Sequence, residues 1–257
     1  NPYYWKVDRD GNQLPYIDRM QVTIVNNTET VPLKIIGNEV DLARRPVTIK
    51  NVPIYKQFAK RKGYKVFLMK QHASLAEVIL NLTNPDPVWR KVVGDIRFRE
   101  ALSLAIDRQK IINAIYYGFG AGLPRTIPIN EYNPERANQL LDEMGLDKRD
   151  KDGWRLGPDG KKFMIPFEMT IFTGEEVKTA EMVGRCWEKV GIFITTKVYD
   201  NTLWLTMADA NELNAFTWWQ HYARWPFDDP DYLGRAWQCT YAPLWYNWYN
   251  SNGKLGE

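Results

Sequence analysis

Met164-Ile165-Pro166-Phe167-Glu168-Met169-Thr170-Ile171 reads as a β-strand, and the sequence from there to Trp219 decides the fold. Thr173 and Glu176 have the spacing of a capping box, in which two side chains satisfy backbone N–H groups at the start of a helix. The helix they open buries Val177, Ala180, Val183, Trp187 and Val190 along one stripe until Gly191 stops it. Ile192 to Val198 alternates as a second strand, Thr202 to Ala210 forms a short second helix, and Ala215 to Trp219 forms a third strand. A β-α-β-α-β order requires helices to cover a sheet, so the class is α/β.

Upstream, Asp152-Gly153 and Pro158-Asp159-Gly160 punctuate Trp154-Arg155-Leu156 as turns. The acidic run there does not fit a calcium loop, because Gly153 follows Asp150 and Asp152 too early for the EF-hand spacing. Asn133-Pro134 is a cap with proline at the first helical position, and Ala137, Leu140, Leu141 and Met144 keep helical spacing until Gly145. Asp95 caps a helix whose Phe98, Leu102, Ala105 and Ile106 share a face. Asp107 caps the next, with Ile111, Ile112 and Ile115 inward and Gly118 at its end. Residues 64–69 and 76–82 are β-rich runs, and Gln21 to Val25 alternates as a strand before a helix capped by Thr28, with Pro32 near its first turn and Gly37 at its end.

Three phrases in fixed order carry a resemblance: Asn1-Pro2-Tyr3-Tyr4-Trp5 with Leu14-Pro15-Tyr16-Ile17-Asp18, then Gly37-Asn38-Glu39-Val40-Asp41, then the run from Asp95 to Arg108. Ala137 to Gly145 and Asp150 to Gly160 continue it. Together they resemble the family 5 extracellular solute-binding proteins of bacterial ABC importers, which take oligopeptides, dipeptides, nickel or oligosaccharides. The resemblance implies a two-lobed periplasmic-binding-protein fold of type II, cluster C. Residues 1–72 would be a partial segment of the discontinuous first lobe with the crossover, and residues 73–257 an α/β second lobe. It also implies a fragment lacking the N-terminal part and the C-terminal end of such a receptor, since these receptors are about twice as long.

The 257 residues are 44% hydrophobic, enough for a core, and 25% charged with a net charge of +3, too weak a field to argue for nucleic acid or an anionic membrane. The basic run from Lys56 to Lys65 reads as a solvated helix face. No run approaches the roughly 18 apolar residues of a membrane span. Cys186 and Cys239 fit one disulfide and fit two buried thiols equally well. His72 and His221 stand far apart in sequence and have no metal-ligand spacing with the cysteines; no metal and no cofactor is expected.

Thirteen aromatic residues lie within 216–249, six of them among the chain's 11 tryptophans. Rigid aromatic faces suit the C–H face of a sugar ring, and equally suit a lobe core or a surface that packs on the missing domains. Trp245 and Trp248 read as packing. Trp218, Trp219 and Trp225 sit at or just after the C-terminal end of a strand, where α/β sheets present ligands. With Gln220, His221, Arg224, Asp228 and Asp229 they form the candidate ligand-binding set.

In peptide-binding members the loop after this strand resembles W-x-x-D-x-x-D-P, whose first Asp pairs with the ligand's α-ammonium. Asp229-Pro230-Asp231-Tyr232-Leu233 matches the end of that motif, but the ammonium position falls on Pro226. A buried amine without its carboxylate costs several kcal/mol, roughly a hundredfold in affinity. Asp228 substitutes only if the loop is displaced by two residues. The tryptophan-rich loop resembles that of the oligosaccharide-binding branch.

The resemblance therefore implies a non-enzymatic receptor outside the cytoplasmic membrane, periplasmic or extracellular, held there by the transporter or a lipid anchor. It would capture an oligosaccharide, with a peptide as the alternative, and deliver it to a membrane permease; the fragment itself is expected to be a monomer. A glycoside hydrolase is the distant rival, because adjacent Asp228 and Asp229 cannot flank a scissile bond and no second acid partner is evident.

Overall fold

The computed structural model describes residues 3–43, 47–68, 72–120, 128–171, 175–221 and 241–257. The chain divides into two compact units, Asn1–Val66 and Phe67–Glu257.

The first unit carries α1 (Val31–Gly37) and α2 (Val52–Lys62). A 3-10 turn, Thr28–Thr30, precedes α1. Its cap is Asn27, whose side chain accepts from Glu29 N, and not Thr28 as expected. Asn38 takes the left-handed conformation after Gly37, with φ 63°. No strand forms at Gln21–Val25 or at 64–68. Val22 and Ile24 are exposed, and among the described residues of this unit no strand offers them a partner, so alternation alone does not make a strand. Lys60, Arg61 and Lys62 fall in the last turn of α2, where cations complement the helix dipole.

The second unit runs β1 (His72–Leu80), α3 (Pro87–Gly94), α4 (Ile96–Leu104), α5 (Arg108–Ile115), α6 (Pro134–Glu143), β2 (Met164–Thr170), α7 (Glu175–Glu188), β3 (Phe193–Tyr199), α8 (Asn201–Asp209), β4 (Ala215–His221) and α9 (Pro243–Asn250). The sheet order is β1-β4-β2-β3. β2 runs parallel to both β3 and β4, whereas β1 is antiparallel to β4. This is the α/β fold expected. β1 begins ahead of the expected run, and its pairing sets His72 opposite His221, two residues the linear sequence holds apart.

Local capping fixes the helices. Asp86 accepts from Val88 N and Trp89 N, Asp95 from Arg97 N, Asp107 from Lys110 N, Asn133 from Arg136 N and Asp200 from Thr202 N and Leu203 N. Thr173 of the proposed capping box lies outside the described residues.

The core lies between the sheet and α4, α6 and α7. Phe167 of β2 stacks on Trp187 of α7 at 5.4 Å, and the Trp187 indole donates to Leu102 O at 2.9 Å. Phe163 bridges Trp89 and Phe98. Arg155, only 1% exposed, ties the turn region to this core. Its guanidinium donates to Val190 O, Leu146 O, Asn138 Oδ1 and Asp142 Oδ1. Asp150 is used within the turn, accepting from the N–H groups of Asp152 and Trp154. Cys186 is a buried free thiol on α7, and Cys239 lies outside the described residues.

Candidate functional site

Parallel strands end on the same edge of a sheet, so the C-terminal ends of β2 and β4 form a shared rim. Phe167 pairs with Ala215, and Thr217 Oγ1 approaches Met169 Sδ at 3.7 Å, which carries the register two residues further. Thr170 and Trp218 are therefore level on that rim. In open α/β sheets this rim is where ligands bind.

One face of the rim rests on α8. Phe216 and Trp218, two residues apart, point to the same side of β4. There Trp204 of α8 meets Phe216 edge-on at 5.1 Å and lies parallel to Trp218 at 5.0 Å, with 5° between planes. The Trp204 indole donates to Glu168 O at 2.7 Å, so its orientation is locked from both sides. Trp218 is 9% exposed and has Trp204 against one face.

The other face rests on α7, which α5 in turn packs against. Thr217 Oγ1 donates to Glu176 O at 3.3 Å. Thr179 Oγ1 donates to Glu175 O at 2.8 Å, so it is Tyr116 that donates across the 2.9 Å contact to Thr179. Burial pushes the Tyr116 hydroxyl up to about 12, which keeps it a donor. Glu176 is buried in the first turn of α7, where the helix N-terminus favours a carboxylate. Thr170 Oγ1 is buried and has no hydrogen-bond partner among the described residues.

Of the residues singled out from sequence, the structure brings Trp218 into this rim. Trp219, Gln220 and His221 continue β4 beyond it as backbone. Arg224, Trp225, Asp228 and Asp229, with Pro226, lie outside the described residues. Trp245 and Trp248, read as packing, are 47% and 52% exposed on α9, so among the described residues they do not fill the core of this unit. Both fall on the outward side of a helix whose buried contact is made by Pro243. Trp204, Tyr116 and Thr179 were not anticipated at the rim. The signal for Trp204 was the Phe216/Trp218 alternation, which demands an aromatic-sized partner from a neighbouring helix.

Among the described residues no three His, Cys, Asp or Glu side chains gather as a metal site, and no helix is long and apolar enough to cross a membrane. The rim presents Trp218 and the buried Thr170 hydroxyl, while the hydroxyls of Thr217, Thr179 and Tyr116 are committed to Glu176 O, Glu175 O and Thr179.

The periplasmic α-galactoside-binding protein of Rhizobium meliloti is 27% identical over 254 residues, covering 86% of this chain and 35% of that protein. The oligopeptide-binding protein AppA of Bacillus subtilis is 23% identical over 253 residues, covering 93% of this chain and 41% of the relative. Among solved structures, an oligopeptide-binding protein OppA superposes over 100% of this chain and 45% of its own, with TM-score 0.69 and 31% identity. The chain thus spans less than half the length of each. The profile of the bacterial extracellular solute-binding proteins, family 5, matches residues 1–243, and this chain belongs to that family.

Proposed function

We propose that this chain carries the second lobe, residues 73–257, and a partial first lobe, residues 1–72, of the substrate-binding component of an ABC importer. The receptor closes two lobes on an oligosaccharide by hinge motion and delivers it, in the periplasm or outside the cell, to a membrane permease, and the fragment itself is a monomer. The family match over residues 1–243 supports the receptor role. The observation that carries the sugar is Pro226, which stands where peptide-binding members have the carboxylate for the ligand amine. A neutral sugar needs stacking faces and hydrogen bonds, and the candidate set supplies them in Trp218, Trp219, Trp225, Gln220, His221, Arg224, Asp228 and Asp229.

The R. meliloti relative is named for α-galactosides, and the B. subtilis relative for oligopeptides. The second reading, a peptide receptor, rests on the latter and on the 31% identity to OppA. Catalysis has no comparable support, since the family is one of solute-binding proteins.

The test is a thermal-shift screen of the full-length protein that carries this sequence, against α- and β-linked oligosaccharides, di- to pentapeptides and nickel. A ligand that binds only the folded form raises Tm. Shifts with oligosaccharides alone are expected. Shifts with peptides alone would overturn the sugar reading.

A further inference from the structure

At the rim, three parallel strands bring one residue each into a row: Thr170 of β2 lies in register with Tyr199 of β3 and level with Trp218 of β4. Neighbours in register project from the same face of a sheet. Phe167 stacks on Trp187 of α7, so Thr170, three residues on, points the other way, to the side where Trp218 meets Trp204 of α8. The row therefore reads aromatic, hydroxyl, aromatic on the α8 side of the sheet.

Thr170 is 4% exposed, and its Oγ1 is buried with no hydrogen-bond partner among the described residues. The polar groups around it are engaged elsewhere. The Trp204 indole donates to Glu168 O, the Glu168 carboxylate accepts from Asn214, and the Lys197 ammonium lies 4.8 Å from the centre of the Tyr199 ring. A buried hydroxyl left unbonded destabilises the fold that contains it, and native proteins keep few of them. Ile171, the next residue, is 61% exposed, so this hydroxyl lies a single residue inside the edge of the sheet. Of the two rings beside it, Trp218 is held by its stack on Trp204, whereas Tyr199, half-buried on β3, is held among the described residues by the Lys197 contact.

We propose that Thr170 is a specificity-determining residue: its hydroxyl bonds a ring hydroxyl of the bound sugar, which enters past Tyr199 and lies beside Trp218. This rests on the reading of the chain as part of a sugar receptor. A threonine hydroxyl donates and accepts, as does each hydroxyl of a sugar, so the pair needs neither charge nor fixed polarity. The apolar rings keep competing water away and strengthen the bond once it forms. In the unliganded protein the same hydroxyl has no bond to lose. Removing it should therefore leave stability intact and weaken binding, a combination that a structural hydroxyl does not give.

The test uses the full-length protein, with stachyose and cellotetraose as the α- and β-linked probes and pentaalanine as the peptide probe. Thr170→Val keeps the shape and removes the hydroxyl. Tm of the unliganded protein should hold or rise, while Kd for the sugar that binds rises about five- to tenfold, the loss of one neutral hydrogen bond. Thr170→Ser, which keeps the hydroxyl, should leave Kd near the natural value. An unchanged Kd in Thr170→Val would overturn the inference and leave the sugar reading standing. A lower Tm in that variant would also overturn it, since the hydroxyl would then serve the fold. If the unsubstituted protein binds pentaalanine alone, or none of the three probes, the sugar reading fails first and the inference with it.

Discussion

The indole rings of Trp204 and Trp218 lie parallel, 5.0 Å apart, and stack the end of β4 on α8. Trp204 is 1% exposed and also meets Phe216 and donates to Glu168 O. Trp204→Ala removes a fully buried indole and should cost about 3–5 kcal/mol, read as a fall in the urea midpoint at constant slope. Trp204→Phe keeps an aromatic face but loses the donor, and should fall between the two.

Arg155 and Asp142 form an ion pair of 2.6 Å in which the two partners have opposite stakes, since Arg155 is buried and Asp142 is 54% exposed. Arg155→Met strands the carbonyls of Val190 and Leu146 and should cost about 3–5 kcal/mol. Asp142→Asn, which solvent can compensate, should cost less than about 1 kcal/mol. Equal losses in chemical denaturation would contradict the assignment of Arg155 to carbonyl bonding.

Glu168 is a buried carboxylate, and desolvation raises it above the ordinary range. The bonds from Asn214, at 2.6 Å from the backbone and 3.2 Å from the side chain, and the charge of Lys197 on β3 only partly offset this. A raised carboxyl holds its proton more tightly when folded. Its stabilising contribution is therefore full below the unfolded value and is lost as pH rises through the folded one. Glu168→Gln removes that loss, so the stability of the variant relative to the natural protein should increase as pH rises above the ordinary carboxylate range. A pH-independent difference would count against it.

Asp8 is held ionised down to about 2, chiefly by the Tyr16 hydroxyl at 2.5 Å, then by the Asn12 side chain and the N–H groups of Asn12 and Asp10. Its depressed value means that the turn keeps this support above the unfolded value and loses it as pH falls through the folded one. Tyr16→Phe deletes the largest cause. The carboxyl carbon shift of Asp8, followed by NMR, should then titrate at clearly higher pH than in the natural sequence.

Trp225→Ala should lower oligosaccharide affinity about a hundredfold in the full-length protein if its ring stacks on the sugar, given ~1–3 kcal/mol for a buried aromatic contact. Isothermal titration calorimetry reads this directly. Unchanged affinity with lowered stability would place Trp225 in packing.

What could be read from sequence was what is decided within a few residues. Asp95, Asp107 and Asn133 cap the helices they were expected to cap, and the β2-α7-β3-α8-β4 succession follows from short-range periodicity. What escaped depends on partners far along the chain. Gln21–Val25 has a strand's alternation but no strand to pair with among the described residues, while β1 extends to His72 because β4 supplies a ladder that far. Trp245 and Trp248 show helical spacing, which tells that they share a face but not whether that face is covered. At the candidate site, β4 was legible as a strand, whereas Trp204 and the Tyr116–Thr179 bond come from helices that packing alone brings alongside it.

The antiparallel pairing of β1 with β4 also has a temporal side. A ribosome delivers β1 early, yet its ladder partners, from Ala215 to His221, come last among the four strands. Until they emerge, β1 carries an unpaired edge, and the parallel pair β2–β3 can assemble without it. Among the described strands, the last-made one inserts between the first-made one and β2, a long-range closure that favours slow, late folding of this unit.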